Sequence, residues 1–340
     1  MLSFVTLFDK NYLSRGLVLL KSLKKNCRDI FTLYVLAMDD DVKKYFDSNS
    51  IKGVVCFSVE DMITYYPVLK KLRNERTRGE FCWTLSSFSI QYVLKVYNED
   101  VCIYVDSDIC FWSNPELLIS EMGSSSVLIT EHNYFYEYDT SYTRGKYCVQ
   151  FMCFKNDQAG NEILEWWRSN CEEWCYDRIE ENRFGDQKYL DDWENRFEGK
   201  VYNCKNLGCG LAPWNNQKYN LINIDGHYYV EDKISHVKNE LVFYHFHNLH
   251  KLKNSKWSLS NYRLDSSIIP LYKKYIYRIT NEENKLPEFL RSKEDDIKDL
   301  KEKLKLPRCI YGGFKYVFFL FKKISEVENN VISFNYSNRE

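Results

Sequence analysis

The run Val101 to Trp112, VCIYVDSDICFW, constrains the fold more than any other part of the chain: an almost continuous apolar stretch broken by Asp106-Ser107-Asp108. A segment apolar on both alternate faces reads as a strand covered on both sides, as in parallel sheets flanked by helices. In open α/β sheets ligands sit beyond the carboxyl ends of the strands, so carboxylates placed there face a crevice. Two aspartates one residue apart are then positioned to hold a hard divalent cation, a plain polar turn being the alternative.

The flanking pattern supports an α/β chain with a mostly parallel sheet. Leu2 to Phe8 reads as a first strand, Ser14 to Lys25 as a helix through Leu17, Leu20 and Leu23, and Phe31 to Met38 as a second strand. Asp39-Asp40-Asp41 has a similar strand-end placement, but the lysine-rich helix after it makes a solvated turn the better reading. Leu85, Phe88, Tyr92, Val93 and Val96 give Trp83 to Tyr97 a helical period, and Ser113-Asn114-Pro115-Glu116 is a helix start. Further strands are expected at Val127 to Thr130 and Cys148 to Phe154, and a helix near Asn161 to Cys171. A short helical stretch follows Gly185-Asp186-Gln187, Asn206 to Asn215 is a loop, and Leu241 to His247 is a last strand. From about Trp257 the pattern is helical only: Ile268 to Ile279, Ser292 to Lys305 and Pro307 to Ile324. The expected division is a catalytic domain over 1–256 and a helical extension over 257–340.

With 47 Lys plus Arg against 48 Asp plus Glu, no global basic field exists to recruit nucleic acid. The 12 cysteines are scattered, no CxxC pair occurs, and the chain opens on a strand rather than a signal peptide. Reduced, buried thiols in a cytoplasmic protein are expected. No apolar run approaches the roughly 20 residues a spanning helix needs. The basic, aromatic segment Pro307 to Ile324 is suited either to peripheral membrane contact or to packing on the catalytic domain.

His245, His247 and His250 fall within Leu241 to Lys251, and the first two share a strand face. A histidine closing an apolar strand is a candidate metal ligand, and manganese accepts two aspartates plus one imidazole. Lys251 could meet a phosphate as a point charge. A zinc-dependent hydrolase built on His245, His247 and His250 competes with this reading, as does a non-catalytic glycan-binding protein.

The strand ending in Asp106-Ser107-Asp108, with a Pro-containing helix start after it, resembles the metal-binding motif of glycosyltransferases with the A-type nucleotide-sugar-binding (GT-A) fold. His245-Phe246-His247-Asn248-Leu249-His250-Lys251 is similar to the His-x-x-Gly-x-x-Lys signature of glycosyltransferase family 8, whose members are retaining galactosyl- and glucosyltransferases. The motifs occur in family order over residues 1 to 255. The resemblance implies that Asp106, Asp108 and His245 hold Mn2+ or Mg2+ against the diphosphate of a UDP-sugar donor, with Ser107 beside it and Lys251 neutralising the departing phosphate. It places Thr6, Leu7, Phe8, Asp9 and Tyr12 at the nucleotide base and ribose. Asp186 and Gln187 match the Asp-Gln pair near the transferred sugar, although Asp186 also reads as a helix N-cap. Transfer of a hexose with retention to a glycan or glycolipid acceptor, of the lipopolysaccharide or capsule kind, is the implied activity. Trp83, Tyr136 and Trp214 are candidates for stacking on sugar rings. Three departures stand out: Asn248 for the signature glycine, Leu252-Lys253 for Pro-Trp, and Cys148-Val149-Gln150 for an Asn-Ser-Gly strand start.

Overall fold

The computed structural model describes residues 1–300, 325–327 and 329–334. Its strands are β1 Leu2–Phe8, β2 Phe31–Ala37, β3 Val54–Ser58, β4 Val101–Val105, β5 Ile109–Phe111, β6 Val127–Glu131, β7 Tyr147–Lys155, β8 Val201–Asn203, β9 Tyr219–Ile224, β10 His227–Asp232, β11 Lys238–Glu240, β12 Phe243–His245, β13 His250–Leu252, β14 Lys256–Ser258 and β15 Val331–Ser333. The helices are α1 Leu13–Asn26, α2 Asp40–Ser48, α3 Val59–Tyr65, α4 Val68–Glu75, α5 Arg78–Val96, α6 Glu116–Glu121, α7 Ser141–Arg144, α8 Gln158–Glu173, α9 Trp193–Arg196 and α10 Ile269–Glu283.

Seven strands form one sheet in the order β3-β2-β1-β4-β7-β6-β8. Strands β1 to β4 run parallel, β6 and β8 are parallel, and β7 lies antiparallel between β4 and β6. Successive residues of these strands face opposite sides, and both sides are dry. Val5, Tyr104 and Met152 pack with Leu85 and Phe88 of α5 and Leu164 and Trp167 of α8. Phe4, Ile103 and Phe151 pack on the other face with Leu17, Leu20 and Leu23 of α1. That two-sided burial is why the strands read as continuous apolar runs. The capping box at the start of α5, with Thr77 and Glu80 accepting each other's backbone amides, aims this long helix so that its end feeds β4.

Two expectations need correcting. The strand expected over Leu241 to His247 is shorter than that and is not the last. Only Phe243–His245 is extended, and it pairs antiparallel with β5, with His245 opposite Ile109. The Asp106-Ser107-Asp108 turn redirects the chain between β4 and β5, which takes β5 off the main sheet and gives β12 a separate partner. The tail is not helical only either: β14 pairs with both β13 and β15, so the chain end returns as a strand. Val331, Ile332 and Ser333 are too few for periodicity to reveal them. Helix α10 covers the expected Ile268 to Ile279, residues 297–300 are helical, and Pro307 to Ile324 lies outside the described residues. Cys102, Cys110, Cys148, Cys153, Cys171 and Cys175 are buried free thiols. Among the described residues, no helix is long and apolar enough to cross a membrane.

Candidate functional site

The Asp106 amide extends the β4–β7 ladder by donating to the Gln150 carbonyl at 3.0 Å, and the Ile109 amide then donates to the Asp106 carbonyl at 3.2 Å, closing a tight turn. This turn carries the carboxylates of Asp106 and Asp108 at the carboxyl end of β4. Strand β12 brings His245 to the same point, its amide donating to Leu211 while the Phe246 amide donates to the Asp108 carbonyl, both at 3.0 Å. His245 Nε2 lies 3.0 Å from Asp108 Oδ1 and 3.8 Å from Asp106 Oδ2. One ligand atom from each of the three side chains falls within 4.8 Å of the others.

Neighbouring groups orient this set. The Tyr104 hydroxyl donates to Asp106 Oδ1 at 3.0 Å, and Gln150 Oε1 stands 2.8 Å from His245 Nδ1. Nδ1–H donates to Gln150, so Nε2 faces the aspartates. Its proton is donated to Asp108 while the imidazole is charged, and its lone pair becomes available to a cation that displaces that proton. Trp214 forms a wall, its ring centre 5.3 Å from that of His245 and 5.4 Å from that of His247.

The electrostatics follow from burial. Burial lifts the Asp106 carboxyl to about 6, with the His245 charge opposing and the Asp108 charge adding to the rise. Burial alone would raise Asp108 as well, but the charge and hydrogen bond of His245 hold it down at about 2. Burial likewise works against the charged form of His245, and the Asp108 contact overrides it, raising the imidazole well above its ordinary value. Asp186 is raised to about 8, first by burial and then by the Asp106 charge. Two carboxylate oxygens and one imidazole nitrogen, in surroundings with an excess of acid, fit a hard divalent cation that keeps further positions open.

A cavity of about 710 Å³ opens at this point. Leu7, Phe8, Asp9, Tyr12, Asp106, Ser107, Asp108, Asp186, Gln187 and His245 all line it, as do Trp83 and Trp214. Gly185, with φ +54°, has the Trp83 ring 3.3 Å from where a Cβ would stand, and so lets the chain cross that ring. Gln187, not Asp186, occupies the cap position of the short helical stretch, and its amide nitrogen donates to the Arg144 carbonyl at 2.7 Å. Asn248 does adopt a left-handed φ of +59° where the family signature has glycine.

Other residues singled out from the sequence lie elsewhere. Thr6 is fully buried within β1 and does not line the cavity, because its side chain points into the packed sheet rather than past its end. Lys251 Nζ is 2.9 Å from Glu283 Oε2 and 3.8 Å from Glu294 Oε1, an acidic pair that draws it away from the cavity. His250 lines the cavity but binds Asp295 at 2.8 Å, so the three histidines do not converge on one ion. Tyr136 is 78% exposed and off the cavity. Residues the sequence does not single out include Arg78, which bridges Asp9 and Asp39 at 2.5 and 3.6 Å, and His132, Tyr134, Arg144 and Tyr262 on the cavity wall. Arg78 follows the Thr77 cap, the one local signal available; the others come together only through the fold.

The overall fold is matched in a solved galactosyltransferase, LgtC, in complex with donor and acceptor sugar analogs. That structure superposes with a TM-score of 0.54 at 12% identity, covering 84% of this chain and 98% of that one. The chain has the GT-A fold. An active-site mutant of LgtC shares this GT-A likeness, with a TM-score of 0.53 at 12% identity. No family model matches the sequence. Among curated proteins the chain is 26% identical over 283 residues to YfnD of Bacillus subtilis strain 168, an uncharacterized protein, covering 81% of this chain and 88% of YfnD. It is 29% identical over 252 residues to YfnF of the same strain, also uncharacterized, covering 72% of this chain and 80% of YfnF.

Proposed function

We propose that this chain is a metal-dependent glycosyltransferase of the family 8 kind, moving a hexose from a UDP-sugar to a glycan or glycolipid hydroxyl with retention of configuration. The observation that carries the proposal is the convergence of Asp106, Asp108 and His245 at the mouth of the cavity. Asp106, Asp108 and His245 would hold Mn2+ or Mg2+, which supplies a Lewis acid for the charge that grows on a departing diphosphate.

The chain's own residues do the rest. Gln150 and Tyr104 hold His245 and Asp106 in register, so little reorganisation is needed when the donor arrives. Leu7 and Phe8 at the end of β1, with Asp9 and Tyr12 just beyond it, form the cavity wall where the base and ribose would lie. With its amide nitrogen held by Arg144, Gln187 keeps Oε1 for the transferred sugar, where an oxygen dipole favours positive charge at the anomeric carbon. Trp83 and Trp214 offer apolar faces for the sugar rings. Lys251, already paired with Glu283 and Glu294, is left out of the assignment.

The test is thermal unfolding with UDP, GDP, CDP and ADP, each with and without Mn2+. UDP at about a hundred times its dissociation constant should stabilise by about 2.7 kcal/mol in the presence of Mn2+. Asp108→Asn should remove the Mn2+-dependent part while leaving a folded protein. Equal stabilisation with and without Mn2+, or no preference for UDP, would overturn the reading.

A further inference from the structure

Among the described residues, Arg144 lines the cavity without an ion-pair partner. Helix α7 ends at Arg144, and Gly145, with φ +107°, turns the chain there; a Cβ on it would lie 3.3 Å from Lys188 Cα and 3.4 Å from the Gln187 carbonyl. The helix end is therefore pressed against the segment that carries Gln187. Arg144 lines the cavity with its guanidinium carbon 5.2 Å from the centre of the Phe184 ring. Among the described residues no carboxylate stands within ion-pair distance of it, whereas Arg78 is bound to Asp9 and Asp39, and Arg15 donates to the carbonyls of Asn11 and Leu249.

The acids closest in sequence to Arg144 are engaged elsewhere. Asp139 accepts from the Ser141 amide at 2.8 Å, and Glu137 faces Arg263 at 3.7 Å. Around Arg144 the wall is aromatic and polar: Phe184, Tyr134, Tyr262 and His132 line the same cavity. An arginine stacked on a ring presents its remaining N–H groups as a planar fork, which matches a carboxylate or phosphate better than a sugar hydroxyl. Adjacent aromatic faces suit the ring that bears such a group.

Resting on the glycosyltransferase reading, we propose that Arg144, with Tyr134 and Tyr262, recognises an acidic group on the sugar bound at this end of the cavity. That group belongs either to the acceptor or to the transferred sugar, and the two sources are separable.

Calorimetric titration of the full chain, with and without UDP and Mn2+, decides it. One arm compares a glucuronic acid disaccharide with its neutral glucose counterpart; the other compares UDP-glucuronate with UDP-glucose. The expected result is a preference for the acidic probe of about tenfold or more in one arm, which names the source. Arg144→Gln should abolish the preference without changing the affinity for UDP, and Arg144→Lys should keep part of it. No preference in either arm, or a preference that survives Arg144→Gln with native near-ultraviolet dichroism retained, overturns the inference. Failure of UDP to bind with Mn2+ would instead sink the glycosyltransferase reading, and the acid preference is still read on the protein alone.

Discussion

A buried carboxyl with another acid for a neighbour has a defined pH signature, and Asp186 is such a group, 5% exposed and raised to about 8 by burial and by Asp106. In the unfolded chain it would titrate near 3.9, so between about pH 4 and pH 8 the folded protein holds a proton that the unfolded chain has released. The sign follows: stability from this group is greatest at the acid end of that window and falls as pH rises through it. Asn cannot lose the proton. In chelator, Asp186→Asn should raise the melting temperature only modestly at about pH 5 and by clearly more at about pH 8.5. A melting difference that stays flat with pH would mean that Asp186 is ionised when folded. The Gly-Asp-Gln motif was visible in the sequence, but its environment was not. Asp106 and the Trp167 indole that donates to the Asp186 carbonyl come from elements far off in the chain. Gln150 is similar: it shows in the sequence only as part of a departure from the family strand start, and its role as the partner of His245 needs the fold.

Elements place these residues, and one glycine sets how closely two of them approach. The Gly208 carbonyl accepts from the amides of Val242 and Phe243 at 3.0 and 3.2 Å, fixing the entry into β12 and so the position of His245. A Cβ on Gly208 would stand 1.9 Å from the Glu240 carbonyl oxygen, a backbone atom with no rotamer to yield. Gly208→Ala should therefore cost about 2–4 kcal/mol in urea unfolding, the range of a forced backbone clash. If the proposed metal site is correct, Gly208→Ala should also weaken divalent-cation binding by displacing β12. A loss below about 0.5 kcal/mol, typical of a harmless surface change, would show that the approach is not needed. Composition marked Asn206 to Asn215 as a loop but could not say which glycine was required. Long periodic elements such as α1 and α5 were legible because their apolar spacing spans several turns. The β9–β10 hairpin was missed although Asp225-Gly226, both at positive φ, is a turn signal. Strand β15 was missed because three residues carry no period, and pairing with β14 alone makes them a strand.

Over the whole molecule, the sequence changes character near Trp257, where the GT-A unit is expected to end. Leu271, Tyr272, Tyr275, Ile276 and Ile279 of α10 are fully buried, in one cluster with Val18 of α1 and with Tyr244 and Phe246, which flank His245. At about 1.5–3 kcal/mol for each large apolar side chain buried, these five contribute about 8–15 kcal/mol. That rivals the net stability of an ordinary domain, about 5–15 kcal/mol. A chain cut after residue 256 would also expose the far side of the strand that supplies the imidazole. Such a truncation should be insoluble, or should bind a hydrophobic dye and show no cooperative melt, while a chain ending after residue 300 retains α10. The change of character at Trp257 is compositional, whereas the boundary that matters is set by which apolar faces need each other, and helix periodicity says that α10 has such a face without saying what it meets. Should the 1–256 fragment instead show a native near-ultraviolet spectrum and a UDP-dependent shift in melting with Mn2+, α10 would be an appendage, and the catalytic core would close without it.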